Sequence, residues 1–290
     1  MGPGIFESVF VRATLAESFR AVSIAGFTCV QFDFQSAGVD PWSDTIENNL
    51  VYEIRGAADA APVRIPAVSG TFNMAHPEPG TRARGLRGFE QVAAHSAALG
   101  AGFVTLCTGT RATSSMWEIH ADNSTPGAWS DMVDLLRSAL SIAERYDLTL
   151  VVEPEPANVV SSAVKARRLL DELGNDRLKI VLDPANIVLS DRSRSPETVL
   201  TESFALLGPD IVLAHAKDVG QRGEFCAAGS GIVPWTLYRK LLEGITYDGD
   251  VIFHTLTEFD VPVALATMRP DAVKGKHESV VAVKTPRSSE

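Results

Sequence analysis

Short apolar runs alternate with longer amphipathic segments along most of this 290-residue chain. Eight of these runs have the length of strands, and several are apolar at consecutive positions, as parallel strands covered on both faces require. They span residues 5–10, 28–32, 63–68, 102–106, 148–152, 178–182, 211–214 and 250–253. Helical periodicity appears between them, for example over residues 86–99 and 128–146.

Eight strand–helix units in a chain of this length predict an α/β fold, a single (β/α)8 TIM barrel, for which ~250 residues are typical. The competing doubly wound sheet usually carries a Gly-rich first turn, and no G-x-G-x-x-G follows any of the eight runs. We expect one barrel domain over residues 1–269. The last segment, residues 270–290, has Lys, Ser and Pro with little apolar periodicity, so we expect a flexible tail.

Composition and charge exclude several classes of partner. The chain has 26 Lys and Arg against 36 Asp and Glu, a net charge of -10, which opposes binding to nucleic acid. The sequence contains no run of 18 apolar residues, so no membrane span is predicted. The first residues do not resemble a signal peptide. Three widely spaced cysteines are typical of reduced thiols in a cytoplasmic protein. The sequence leaves open whether the protein forms a homo-oligomer.

Four consecutive strands end on a residue that can bind a divalent metal: Glu153, Asp183, His215 and His254. These residues are about one strand–helix unit apart, so in a barrel they would meet on the C-terminal face, where barrel enzymes carry out their chemistry. Two carboxylates and two imidazoles suit one divalent ion, Mn²⁺, Mg²⁺, Co²⁺, Fe²⁺ or Zn²⁺, better than Ca²⁺.

Each of these residues also has a structural interpretation. Asp183 precedes Pro184 and could only cap a helix, a single His after a strand is often structural, and the Glu153-Pro-Glu-Pro segment could be a turn with solvated acids. The occurrence of all four at equivalent positions favours the metal site.

Longer motifs surround these residues. Glu153-Pro-Glu-Pro-Ala-Asn158, Leu182-Asp183-Pro-Ala-Asn186, His215-Ala-Lys217-Asp218 and Gly229-Ser-Gly-Ile-Val-Pro-Trp235 resemble the xylose-isomerase-like TIM-barrel superfamily. Within it they are most similar to the sugar phosphate isomerase/epimerase branch, and the likeness extends over about residues 5–268.

The resemblance implies one divalent metal held by Glu, Asp, His and Glu from strands five to eight. The first three fall on Glu153, Asp183 and His215, whereas His254 stands where many relatives have the second Glu. The nearest carboxylate is Glu258, so either His254 or Glu258 is the fourth ligand, or the reaction differs.

The implied reaction is metal-assisted removal of a proton beside a carbonyl of a small polyhydroxylated substrate, with Glu153 as base and His254 as the second catalytic group. Isomerisation, epimerisation and dehydration share one intermediate, so a sugar isomerase or epimerase is the first hypothesis and an inosose-type dehydratase the second. An apurinic endonuclease would need more ligands and a basic groove. A barrel that only binds a sugar is a further alternative.

Several residues are expected at the rim of the pocket. The loops after strands three and four offer His76, Arg111, Trp117 and His120, of which Arg111 could clamp an anion or pair with Glu118. Asn186, Lys217 and Asp218 follow predicted ligands and could orient them or contact substrate hydroxyls. Gly229-Ser230-Gly231 could cradle a phosphate before a helix, and Cys107 is expected to be a buried structural thiol.

Overall fold

Eight parallel strands close into a barrel in the computed structural model, which describes residues 1–40 and 43–269. In chain order the strands are β1 (Gly2–Phe6), β2 (Cys29–Phe32), β3 (Arg64–Ser69), β4 (Phe103–Cys107), β5 (Thr149–Glu153), β6 (Leu178–Leu182), β7 (Ile211–Ala216), β8 (Asp218–Val219), β9 (Phe225–Cys226) and β10 (Asp250–Phe253). The barrel order is β1-β10-β7-β6-β5-β4-β3-β2, while β8 and β9 form a separate antiparallel pair. The expected TIM barrel is confirmed.

Helices connect the strands and cover the outside of the barrel. They are α1 (Leu15–Ile24), α2 (Asn48–Ala60), α3 (Pro79–Ser96), α4 (Pro126–Arg145), α5 (Ala163–Leu173), α6 (Pro184–Ser190), α7 (Pro196–Leu207), α8 (Trp235–Gly244) and α9 (Val261–Thr267). Side-chain caps mark several starts: the hydroxyls of Thr125 and Ser162 accept hydrogen bonds from backbone N–H groups in the first turns of α4 and α5. None of the described helices is long and apolar enough to cross a membrane.

The first strand begins earlier than expected. The sequence predicts a strand over residues 5–10, but β1 spans Gly2–Phe6, and Glu7–Val9 forms a 3-10 turn. Glycine and proline are weak strand formers, so the Gly2-Pro3-Gly4 segment carries no strand signal of its own. Pairing with β10 overrides that preference, with Gly2 opposite Asp250 and Ile5 opposite Phe253. The expected tail, residues 270–290, lies outside the described residues.

A small apolar cluster shows which strand residues point into the barrel. Its buried members are Cys29, Ala67, Val151, Val181, Leu213 and Ile252, whereas the larger apolar core includes the strand residues that alternate with them. Successive strand residues face opposite sides of a sheet, so the residue two positions further along each strand faces the same interior at a higher level. That level is where the polar residues of the next section lie.

Gly109 allows the loop after β4 to approach the loop after β3 closely. Its φ is +77°, and a Cβ there would lie 2.1 Å from Asn73 Oδ1 and 2.8 Å from Met74 N. Asn73 Oδ1 in turn accepts hydrogen bonds from the backbone N–H groups of Ala75 and Thr110. A side chain at position 109 would therefore separate the two loops.

We predict that Gly109→Ala lowers the free energy of unfolding by clearly more than the ~1–2 kcal/mol expected for a left-handed backbone alone. Gly38→Ala is the matched control, because Gly38 has a φ of +82° but open space around the added Cβ. Urea denaturation of both variants measures the difference. Equal losses would show that the close approach at Gly109 contributes nothing.

Candidate metal centre

The four residues predicted as ligands converge at the C-terminal mouth of the barrel. Glu153 ends β5, Asp183 follows β6, His215 lies within β7 and His254 follows β10. Each stands two positions after an interior apolar residue, and each offers a ligand atom that lies within 4.8 Å of the other three. The alternation of the strands thus brings the side chains to one point.

Asp183 uses its two carboxylate oxygens differently. Oδ1 accepts hydrogen bonds from the backbone N–H groups of Ala185 at 2.9 Å and Asn186 at 3.0 Å, at the start of α6. Oδ2 lies 2.9 Å from His254 Nε2 and 4.0 Å from His215 Nδ1. Asp183 therefore caps a helix and also faces the cluster, so the two interpretations of this residue hold together.

Gln31 fixes the orientation of His215. The side-chain N–H of Gln31 donates to Ser69 Oγ at 3.1 Å and Thr105 Oγ1 at 2.9 Å, which leaves its carbonyl oxygen toward the histidine. Gln31 Oε1 lies 2.9 Å from His215 Nε2 and accepts a hydrogen bond from the N–H group of that nitrogen. A neutral imidazole protonated at Nε2 carries its lone pair on Nδ1, which faces the other ligands.

His215 Nδ1 is a buried nitrogen with no hydrogen-bond partner among the described residues. It lies 3.4 Å from Glu153 Oε1 and 4.0 Å from Asp183 Oδ2. An unpaired buried acceptor costs about 1–3 kcal/mol, and a lone pair facing two carboxylates is not satisfied by them. A divalent cation would satisfy all three groups, so the residues present fit a metal.

A chain of hydrogen bonds holds the Glu153 carboxylate. Asn186 Nδ2 donates to Glu153 Oε1 at 2.7 Å, and Lys217 Nζ donates to Asn186 Oδ1 at 2.9 Å. Lys217 Nζ also lies 3.8 Å from Asp183 Oδ2. The structure thus places Asn186 and Lys217 in contact with ligands, while their contact with substrate stays a prediction.

The surroundings of the two carboxylates favour their ionised form. Burial alone would raise the pKa of Glu153, but contact with His215 and the charge of Lys217 outweigh it and hold this pKa below its usual value. Burial alone would also raise the pKa of Asp183. Lys217 and His254 outweigh it, so this pKa lies well below its usual range. Burial lowers the pKa of His254. These are the protonation states that metal binding requires.

The structure brings His254, and not Glu258, to the cluster. Glu258 lies in the 3-10 turn Glu258–Asp260 and forms a bidentate ion pair with Arg12, at 2.6 Å and 2.7 Å. His254 packs against the His215 ring, with centroids 4.8 Å apart, and its Nδ1 lies 3.2 Å from Thr255 Oγ1. The alternative that Glu258 reaches inward is therefore not seen here.

A cavity of about 770 Å³ opens above the cluster. Glu153 and His254 line it, with side chains 12% and 17% exposed, whereas Asp183 and His215 lie behind them and are almost fully buried. Of the four candidate ligands, Glu153 and His254 are thus the two that a molecule in the cavity can touch.

The residues predicted at the rim divide into two groups. His76 and Trp117 line the cavity. His120 is exposed and accepts a hydrogen bond on Nδ1 from Asp122 N, at the start of a 3-10 turn. Arg111 donates to Ala75 O at 3.0 Å and pairs with Asp131 at 2.7 Å. Arg111 therefore has an acidic partner, although not the Glu118 carboxylate that the sequence suggested.

Asp218 begins the short strand β8, in the segment that connects β7 to α8, and is fully buried. Its carboxylate accepts four hydrogen bonds at 2.8–3.0 Å, from the backbone N–H groups of Val219, Gly229 and Val233 and from the Trp235 indole. These bonds close the loop around Asp218. Its predicted contact with substrate stays untested, and the geometry favours a role in holding the loop.

Sequence reasoning missed several polar residues of this site, among them Gln31 and Glu155. Gln31 stands inside an apolar strand two positions after Cys29, which is the one signal that could have found it. The sequence allows Glu155 as a solvated acid of a turn, but it is 7% exposed and lines the cavity. Burial raises the pKa of Glu155 to about 7, with the charge of Lys217 opposing the shift and that of Glu153 adding to it.

The sequence matches the family model described as xylose isomerase-like TIM barrel over residues 19–266, so the chain belongs to this family. A comparison with curated protein sequences finds no match.

Solved structures of sugar epimerases and a dehydratase share the fold. One is the apo 3-keto-D-glucoside 4-epimerase YcjR from E. coli, with a TM-score of 0.73, 18% identity, and coverage of 92% of this chain and 98% of that chain. Another is the probable 3-DHS dehydratase AsbF from Bacillus anthracis, with a TM-score of 0.71, 15% identity, and coverage of 92% of this chain and 97% of that chain. A third is D-psicose 3-epimerase with D-tagatose from Clostridium cellulolyticum H10, with a TM-score of 0.65, 15% identity, and coverage of 91% of this chain and 90% of that chain.

We predict that His254→Ala weakens Mn²⁺ binding at least about tenfold, because it removes a ligand atom from the cluster. Isothermal titration calorimetry of the metal-free protein with Mn²⁺ measures this. Glu258→Ala is the control and should keep the wild-type affinity, since Glu258 contacts Arg12 instead. Loss of affinity in the Glu258 variant alone would reverse the assignment of the fourth ligand.

Gln31→Leu should lower Mn²⁺ affinity about 10–100-fold, because it removes the acceptor that fixes the His215 ring. The same titration tests this expectation. Gln35→Leu provides a control in the same cavity wall, at a residue that makes no hydrogen bond to His215 among those described. Unchanged affinity in the Gln31 variant would mean that the ring is held by packing alone.

Proposed function

We propose that this protein is a metal-dependent isomerase or epimerase of a small sugar or polyhydroxy ketone, acting by removal of a proton next to a carbonyl. The observation that carries the proposal is the cluster of Glu153, Asp183, His215 and His254 beneath a cavity that Glu153 lines directly. These four residues would hold a divalent metal, which would supply Lewis-acid polarisation of a substrate carbonyl.

Glu153 is the base in this proposal. Its Oε1 is held by Asn186 and faces His215, whereas Oε2 is contacted by the Cys107 thiol at 3.9 Å. One oxygen is thus fixed by the cluster while the other is left to take a proton from a substrate carbon. Asn186 and Lys217 position this carboxylate and do not themselves move the proton.

The fate of the proton decides the reaction. Its return by Glu153 to the neighbouring carbon gives isomerisation. Delivery of a different proton to the opposite face of the same carbon gives epimerisation and needs a second group on that face; His254 is the other candidate ligand that lines the cavity. The similarity of the fold to sugar epimerases supports this reading of the site.

A dehydratase is the second candidate, and the identity of residue 254 favours it. With His254 in the cluster and Glu258 bound to Arg12, Glu153 is the one carboxylate among the four ligands that faces the cavity. A single base suffices to remove a proton before a β-hydroxyl leaves. The fold similarity to the probable dehydratase supports this alternative.

Proton exchange in deuterated water tests the proposal. The Mn²⁺-loaded protein is incubated with a panel of ketoses and inososes, and NMR records deuterium at the carbon next to the carbonyl. Glu153→Gln should lower the exchange rate about 10²–10⁴-fold, because it removes the base, and Glu258→Gln should leave it unchanged.

The products separate the two candidates. A deuterated isomer or epimer supports the first, and loss of water supports the second. Absence of exchange with every carbonyl compound tested, or exchange that survives Glu153→Gln, contradicts the proposal.

A further inference from the structure

We propose that the cavity takes an uncharged sugar that carries a second ring, and that it excludes sugars bearing a phosphate or carboxylate. This inference rests on the proposed function and narrows its substrate class. The groups that could bind an anion already have partners within the protein. The cavity wall carries acidic groups, and the cavity is large and has an exposed aromatic residue in its outer part.

Lys217 is the one ammonium or guanidinium group that lines the cavity among residues 1–40 and 43–269. Its Nζ donates to Asn186 Oδ1 at 2.9 Å, lies 3.8 Å from Asp183 Oδ2, and sits 3.9 Å from the centroid of the Phe225 ring. These partners surround the ammonium. An anionic substrate would have to displace them and would disturb the hydrogen bond that holds Glu153.

Arg111, the predicted anion clamp, is engaged elsewhere. Its guanidinium donates to Ala75 O and to Asp131 Oδ2, and its side chain is 13% exposed. Asp131 also pairs with Arg82 at 3.3 Å. The arginine therefore ties the loop after β4 to α4 and does not line the cavity.

The predicted phosphate cradle already holds an anion of the protein itself. Gly229 N donates to Asp218 Oδ2, and a Cβ at Gly231 would lie 2.3 Å from Asp218 Oδ1. The glycine segment wraps tightly around the Asp218 carboxylate. No room is left there for a phosphate group.

The wall of the cavity carries acids and neutral polar groups. Asp33, Glu153 and Glu155 line it together with hydroxyl side chains such as Thr71 and Thr105. Carboxyl and hydroxyl groups accept hydrogen bonds from sugar hydroxyls, whereas the ionised Glu153 carboxylate repels a second anion. The wall is thus complementary to an uncharged polyol.

The cavity is larger than one sugar ring requires. Its volume of about 770 Å³ equals that of about 25 water molecules at about 30 Å³ each. The same cavity extends from Glu153 to Phe72, His76, Met116 and Trp117 in the loops after β3 and β4. Trp117 is 56% exposed, so its indole is available as a flat apolar surface for a second ring.

Three ketoses that differ at one oxygen test the inference. D-Fructose has a free O6 hydroxyl in its furanose and open-chain forms, D-fructose 6-phosphate carries a phosphate there, and isomaltulose carries a neutral glucose ring there. Titration calorimetry of the Mn²⁺-loaded protein measures the three affinities. We expect isomaltulose to bind at least about tenfold tighter than fructose and fructose 6-phosphate at least about tenfold weaker.

Trp117→Ala should remove the preference for isomaltulose over fructose. Ile119→Ala is the matched control, because Ile119 lies in the same loop and is 73% exposed but does not line the cavity. That variant should keep the preference.

The outcomes separate this inference from the proposed function. Fructose 6-phosphate binding as tightly as fructose, or isomaltulose binding no tighter than fructose, overturns the inference while proton exchange in deuterated water persists. Failure of the wild-type protein to bind Mn²⁺ or to catalyse any exchange overturns the proposed function. Failure of all three ketoses to bind the Mn²⁺-loaded protein contradicts both.

Discussion

The arrangement at the barrel mouth depends on the close approach of two carboxylates and two imidazoles, whose ligand atoms lie within 4.8 Å of one another. Two buried carboxylates repel each other unless positive charge compensates them. Lys217 supplies part of that charge from one side, through its 3.8 Å contact with Asp183. The unpaired nitrogen of His215 marks the point where a cation would supply the rest. The chemistry proposed for Glu153 follows from that point.

The architecture and the four clustered side chains could be predicted because both follow from strand periodicity. A strand that ends on Val151-Val152-Glu153 places Glu153 on the same face as Val151, and the same rule applies to Asp183 and Val181. Gln31 obeys this rule too, but a single amide within an apolar run carries no chemical signature by itself. Its importance lies in a partner 184 residues away, His215, which only the closed barrel brings near.

The partners of the loop residues could not be predicted for the same reason. Arg111 and Asp218 each have a charge and a position that suit a substrate contact. Their actual partners, Asp131 for Arg111 and the Trp235 indole for Asp218, become visible only in the folded chain. Glu155 shows the opposite case. It stands between two prolines in a segment that the sequence allows as a solvated turn, yet the fold buries it and raises its pKa to about 7, mainly by removing water.

The most direct test is a crystal structure of the protein grown with Mn²⁺, with anomalous diffraction used to locate the metal. The account predicts one strong anomalous peak within bonding distance of His215 Nδ1, Asp183 Oδ2, the Glu153 carboxylate and His254 Nε2. A peak held by other residues, or these four side chains closed on one another with no peak between them at saturating Mn²⁺, would contradict it.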